Sequence, residues 1–257
     1  VDEDSLIEKD TLKYSKNSSS PFTGDVVGKY ASGEDRLRGN YKDGKKEGNW
    51  VFLHKNGKDS EKGGYVNGKR NGEWSNWYEN GILASNGKYE DGMKEGIWKF
   101  WYNDGNKEKE INFLNDKENG QTKIWYSNGK QKNNISYSIG DKNGEYIEWD
   151  QNGNKISDGI YKSGEKWSGY FGDDYYINGV KGMLSLKFYK NGNKKTEGIL
   201  INGQKSGTWS GWVPNGNRKY TGSYRKDKKD GKWIEWENNG NEKINGMYKD
   251  DMPWKGQ

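Results

Sequence analysis

Apolar positions in this chain follow no helical period. Aromatic residues recur at fixed intervals among glycines, amides and charges. Asn56-Gly57, Asn80-Gly81, Asp104-Gly105, Asn128-Gly129 and Asn152-Gly153 are spaced by 24, and the series resumes at Asn191-Gly192, Asn215-Gly216 and Asn239-Gly240. Ser32-Gly33 is a weaker member one step before Gly57. The interval from Gly153 to Gly192 is longer than one period, so a single insertion interrupts the array there. Sixteen positions before each terminal glycine stands Tyr41, Tyr65, Tyr89, Phe113, Tyr137, Tyr176, Leu200 or Tyr224, followed by a second turn such as Asp43-Gly44, Asn67-Gly68, Asp91-Gly92 or Asn202-Gly203. Seven before it stand Trp50, Trp74, Trp98, Tyr146, Trp209 and Trp233; four before it stand Trp77, Trp101, Trp125, Trp149, Trp212 and Trp236.

This grammar predicts two short strands and two turns in every period. Asn-Gly and Asp-Gly tolerate positive φ and are the strongest short hairpin signals. Trp and Tyr suit a pleated surface, and glycine at this density opposes helix. The expected fold is all-β, an elongated single-layer antiparallel meander of stacked 24-residue hairpins. In an ideal strand the two Trp columns, three positions apart, lie on opposite faces, and a bulge would turn them to one side. The first column is expected to pack the fold; packing and binding compete evenly for the second.

Composition agrees. Hydrophobic residues are only 29% of the 257, which alone suggests disorder, yet 13 Trp and 18 Tyr oppose that reading. A net charge of +5 is too mild for a nucleic-acid partner. No Cys and one His, His54, leave little for a thiolate or histidine metal centre or a catalytic triad. No apolar run approaches a transmembrane length. No cofactor is implied.

The stretches "GNYKDGKKEGNW" from Gly39, "GGYVNGKRNGEWSNWYENG" from Gly63 and "GKYEDGMKEGIWKFWYNDG" from Gly87 resemble the MORN repeat variant and look like the bacterial proteins labelled YwqK-family antitoxins. The resemblance covers about residues 21–257. It implies stacked β-hairpins and a binding role, with no reaction. Pro21-Phe22-Thr23-Gly24 matches an opening unit, and Trp167-Ser168-Gly169 and Pro253-Trp254-Lys255-Gly256 are related forms. Thr122 in place of the first Trp, Ile139-Gly140 in place of Asn-Gly, and the polar Glu148 and Asp150 predict a less regular middle sheet. The expected organisation is a leader or linker over 1–20, a first array over 21–164, an irregular insertion or second opening unit over 165–179, and a second array over 180–257.

The expected function is a non-enzymatic scaffold that binds protein partners. Its candidate contacts are Trp77, Trp101, Trp125, Trp149, Trp212 and Trp236, with Trp167, Asp173, Asp174 and Tyr175 in the insertion. Asp173 and Asp174 read chiefly as a solvated loop rather than an acid–base or Ca²⁺ pair, and turn charges such as Lys45-Lys46-Glu47 as solubilising. The alternatives are glycan or cell-envelope binding, self-assembly through edge strands, and, from the resemblance alone, toxin neutralisation. The chain starts at Val1, so a leader was removed or this is a fragment. With the absence of Cys and the frequent export of the resembling proteins, this points to a secreted, periplasmic or surface-anchored protein; absence of Cys fits the cytoplasm equally.

Overall fold

The computed structural model describes residues 1–254; Lys255 and Gly256 of the last opening motif lie outside them. The chain forms two compact units, Val1–Lys155 and Ile156–Gln257. The first opens with a 3₁₀ turn (Glu3–Ser5), β1 (Ile7–Lys9) and β2 (Leu12–Tyr14). It continues through β3 (Gly24–Lys29), β4 (Asp35–Lys42), β5 (Lys45–Leu53), β6 (Asp59–Val66), β7 (Lys69–Trp77), β8 (Leu83–Glu90), β9 (Met93–Trp101), β10 (Lys107–Leu114), β11 (Lys117–Trp125), β12 (Gln131–Ser138) and β13 (Asp141–Trp149). The second holds β14 (Lys155–Lys162), β15 (Glu165–Phe171), β16 (Asp174–Ile177), β17 (Val180–Phe188), β18 (Lys194–Ile201), β19 (Gln204–Trp212), β20 (Arg218–Arg225), β21 (Lys228–Trp236), β22 (Glu242–Lys249) and β23 (Met252–Trp254). Within each unit, from β3 and from β14 onward, strands pair antiparallel with their chain neighbours. The all-β antiparallel meander expected from the periodicity is the observed fold.

The repeating period is a strand of eight, a two-residue turn, a strand of nine and a five-residue loop. Asn67 and Gly68, at φ 50° and 81°, make the tight turn between β6 and β7. That pair of positive angles defines a type I′ hairpin, whose twist matches the strands. The loop after β7 closes with Tyr78 N–H donating to the Ile82 carbonyl and Gly81 N–H to the Tyr78 carbonyl.

The core is aromatic. In the first unit Tyr41, Trp50, Tyr65, Trp74, Tyr89 and Trp98 follow one another edge to face, with centroids 4.9–6.0 Å apart. The second repeats the pattern through Trp209, Tyr224, Trp233 and Tyr248. Edge-to-face contact sets positive ring edges against negative faces, worth about 0.5–1.5 kcal/mol per pair beyond area burial. Trp50 and Trp74 are 0% exposed.

Glycine makes room for each indole. Trp74 lies against Gly63 of the preceding strand, so closely that a Cβ there would fall within the ring system. Gly39 with Trp50, Gly87 with Trp98, Gly198 with Trp209 and Gly222 with Trp233 repeat this at the same sequence offset. The ladder bulges to allow it: Lys62 pairs with Ser75 and Gly64 with Asn71, so Gly63 alone faces Gly72, Glu73 and Trp74. Trp74 Nε1 then donates to the Gly64 carbonyl at 3.0 Å, and Trp98 Nε1 to the Lys88 carbonyl at 3.0 Å.

A cation completes the unit. Lys46 Nζ is 4.5 Å from the Trp50 ring, the Arg70 guanidinium 4.3 Å from Trp74, Lys94 5.0 Å from Trp98, Lys205 4.9 Å from Trp209 and Lys229 3.9 Å from Trp233. Lys46, which as a turn charge reads as solubilising, therefore lies over the aromatic column. Burial lowers its pKa from the usual lysine value. The ring quadrupole offsets part of that desolvation.

The middle repeats keep the strand lengths and turns of their neighbours, against the expected irregularity. Thr122 is buried where a Trp would stand, and its cross-strand partner is Ile111 instead of glycine. The cation position is Glu118. Glycine, Trp and cation are thus replaced together, and aliphatic bulk fills the vacated volume. Ile139 takes φ 48° before Gly140 at 94°, the same turn as Asn-Gly.

Residues 1–20 pack on the first hairpins. Val27 N–H donates to the Val1 carbonyl at 2.9 Å, Asp2 bridges Val27 in parallel, and Leu6 is buried in the aromatic cluster. Glu3 accepts from the Tyr41 hydroxyl at 3.3 Å and pairs with Arg36 at 3.4 Å. The segment that lies outside the sequence period thus covers the outer edge of β3.

Segment 165–179 is a shortened hairpin. Its flanking turns, Ser163-Gly164 and Asn178-Gly179, have the same paired positive angles as the others but lie closer together than successive turns of one kind elsewhere. β15 has seven residues and β16 four, joined at Gly172-Asp173.

Two outcomes are expected. Gly87→Ile should cost about 3–5 kcal/mol in urea unfolding, because the Trp98 indole is expelled. Adding Trp98→Thr should recover part of that loss through a coupling of about 1–3 kcal/mol, and additive costs would refute the socket. Burial raises the phenol of Tyr224 to about 12, and burial with the adjacent Glu3 raises Tyr41 as well. Between pH about 10 and about 12 the unfolded chain gives up phenolic protons that the folded chain keeps, so stability should fall as pH rises. Parallel titration of phenolate absorbance and circular dichroism checks this.

Candidate functional site

The second Trp column lies on the face opposite the first. Trp77 lines a shallow cleft of about 380 Å³ with Glu73 and Ser75, the alternate residues of β7, and with Asn49, Lys62 and Asn71. A second opening of about 550 Å³ borders the same ring through Lys58, Asp59 and Asn80. Trp77, Trp101, Trp125, Trp149, Trp212 and Trp236 are all half-buried. Cations partly screen Trp125 and Trp212: Lys107 Nζ is 4.8 Å from Trp125, and Lys194 5.1 Å from Trp212. From Trp74 to Trp77 three positions along the strand invert the face, and the bulge before Trp74 seats the first ring without bringing the second column to its side.

Each of these tryptophans except Trp236 is held by the preceding repeat. The Tyr78 hydroxyl donates to the Trp101 carbonyl at 2.7 Å, Tyr102 to Trp125 at 2.8 Å, Tyr126 to Trp149 at 2.9 Å and Tyr189 to Trp212 at 2.8 Å. Tyr30 opens the series on Leu53 at 2.6 Å. His54 takes the tyrosine place, its Nε2 2.8 Å from the Trp77 carbonyl. A carbonyl only accepts, so Nε2 carries the proton. This engages the single histidine in a structural bond. Val213 stands at the same position before Trp236 and has no hydroxyl to donate. Asn80 and Asn128 add a second stitch to the carbonyls of Asn103 and Gln151. In the sequence these tyrosines are merely loop aromatics shortly before a terminal turn, and only their reach into the next repeat shows the role.

The insertion residues are distributed rather than convergent. Trp167 is half-buried in β15, under Lys162 Nζ at 4.4 Å, and its carbonyl accepts from Gly179 N–H at 2.8 Å. Asp173 is exposed at the β15–β16 turn, while Asp174 pairs with Lys181 at 2.7 Å. Tyr175 packs on Tyr170 with centroids 4.5 Å apart, and burial raises the pKa of both phenols. Among the described residues no group of three His, Cys, Asp or Glu could hold a metal ion. None of the described helices is long and apolar enough to cross a membrane.

A second apolar region was not singled out in the sequence. On β17, Met183, Leu184, Leu186 and Phe188 are exposed, 65% and 57% at its two ends. Thr208 and Ser210 hold the places of Leu184 and Leu186 one repeat later. The departure from polar to aliphatic at alternate positions was the available signal.

His54→Tyr should preserve or raise stability, and His54→Ala should lower it by about 1 kcal/mol, the scale of one hydrogen bond; thermal unfolding of the three proteins checks this.

Residues 70–91, 94–115 and 142–163 match the family model of the MORN repeat variant. Each match spans a long strand, its loop and the strand that follows. A search of curated proteins finds none that matches the chain.

Proposed function

We propose that this protein is a non-enzymatic repeat scaffold that binds protein partners along the half-exposed tryptophan face of each unit. The observation that carries the reading is the division of labour between the two columns. Trp50, Trp74, Trp98, Trp209 and Trp233 are buried and account for folding. Trp77, Trp101, Trp125, Trp149, Trp212 and Trp236 remain half-exposed, and all but Trp236 are clamped through their carbonyls. Within each unit, two strands per repeat space them by roughly 10 Å. Tryptophans are favoured interface anchors, and a backbone already fixed at these positions leaves less to be ordered on binding. The matched MORN segments agree with an interaction role. Toxin neutralisation would be one form of it, and export to the envelope one setting. Self-assembly through strand edges would be another form.

Glycan binding is a second reading, favoured by the surroundings of Trp77 alone. There a flat ring adjoins Asp59, Asn80 and Lys58 in one opening, the mixture of stacking face and polar groups that a sugar ring uses.

A photo-crosslinking residue at exposed Lys99, two positions before Trp101 on the same strand, should yield a discrete protein adduct in an extract of the source cells, while the same group at exposed Lys16 in the N-terminal segment should not. Trp101→Ala with Trp125→Ala should abolish capture while costing less stability than Trp98→Ala, which should lose about 3–5 kcal/mol. Capture undiminished by the pair would overturn the protein-binding face. Quenching of tryptophan fluorescence by an oligosaccharide panel, lost in Trp77→Ala, would establish the glycan reading.

A further inference from the structure

The shortened hairpin leaves an open strand edge. β16 pairs with β17 only through Tyr175 with Gly182, Tyr176 with Lys181 and Ile177 with Val180. β17 continues past that pairing from Met183 to Phe188, paired with β18 on the other side, in register to Lys187 and with a shift before Phe188. Among the described residues no strand pairs with Met183–Phe188 on the β16 side. The following β19 and β21 are paired along both edges. In an antiparallel strand alternate residues turn their N–H and C=O to opposite sides. About half of this stretch therefore offers both groups outward, an arrangement that templates an added strand.

The side chains fit that use. Leu184 and Leu186 lie opposite Ile199 and Glu197 of β18, so all four share one face. Tyr170 is exposed on the neighbouring hairpin, where it packs on Tyr175. The charges select the occupant. From Val180 to Lys195 the chain carries five lysines and no carboxylate. Lys181 pairs with Asp174 and Lys194 with Glu197, while Lys187 and Lys190 are exposed. Two copies of this edge would bring both sets of lysines together, which disfavours self-pairing.

We infer that the β17 edge, Met183–Phe188, binds an extended acidic–apolar segment of a partner polypeptide by strand addition, its apolar residues on Leu184 and Leu186 and its carboxylates toward Lys187 and Lys190. This rests on the scaffold reading above and gives it a second, specific docking place.

The probe is a fluorescein-labelled octapeptide of alternating valine and glutamate, titrated with the full chain and read by anisotropy. It should bind, and the valine–lysine analogue should bind at least about tenfold more weakly. Methylating the backbone nitrogens of alternate residues should abolish binding in one phase and spare it in the other. Leu186→Lys should weaken binding by a similar factor with circular dichroism unchanged. Equal binding of both methylated phases would overturn strand addition, since a greasy surface does not read backbone N–H groups. Equal binding of the lysine analogue would overturn the acidic partner. Concentration-dependent dimers abolished by Leu186→Lys would assign the edge to a second copy instead. Failure of the peptide to bind, with Trp101 and Trp125 still required for capture, would remove this site and leave the scaffold standing.

Discussion

Everything in this fold depends on an indole lying flat against a glycine. The contact solves a problem set by composition: few aliphatic residues are available, so burial must come from rings. A ring can be buried against a thin sheet only if the strand beneath it has no side chain. Glycine normally weakens a strand; here the same lack of a Cβ creates the socket, and the indole restores what the strand loses. The cation above the ring follows from the same geometry, because a thin sheet has no second layer to cover each ring, so a cationic side chain covers it with its stem while the ring quadrupole offsets part of the desolvation of its charge.

Because rings, sockets and cations come as sets, the repeats vary in sets. The repeat with Thr122 has Ile111 and Glu118, and each change would be harmful alone. An isoleucine under a tryptophan would collide with it, a threonine over a glycine would leave a void, and a lysine over no ring would be desolvated for nothing. The repeat of Tyr146 is intermediate: Ile135 has replaced the glycine, a smaller ring remains, and Lys142 stays 5.3 Å from it. Consistency among local choices is what a foldable sequence shows, and here it can be followed position by position.

Much of this was legible in the sequence, and the limits have physical reasons. Turn chemistry is local, so the regular spacing of Asn-Gly marked the hairpins directly. Burial of the first Trp column followed from the need for some core. The function of Gly63 was hidden because residue type does not distinguish a socket from a turn. Lys46 was hidden because a lysine beside a turn reads as solvated, and nothing local shows that it folds over the ring four positions on in the same strand. Residues 1–20 looked like a linker because Leu6 is one apolar residue without a period, and its burial depends on a cluster assembled elsewhere. The open edge of β17 results from the shortness of β16, an absence that pattern analysis registers as irregularity rather than as surface. The candidate Trp column was found by position, but its clamps, each crossing from one repeat to the next, appear only when neighbouring repeats are stacked.

Those clamps also set the grain of the molecule. Tyr78 reaches Trp101 and no further, just as Tyr102 reaches only Trp125. Every stitch runs from one repeat to the next, in one direction, and connects equivalent atoms. Removing residues 78–101 would therefore bring Trp77 before Tyr102 with the same donors and acceptors facing each other. Such a chain behaves as a one-dimensional lattice with nearest-neighbour coupling. Its length is free to change by whole periods during descent, and the number of half-exposed tryptophans becomes a count that gene duplication can adjust without redesigning the interior.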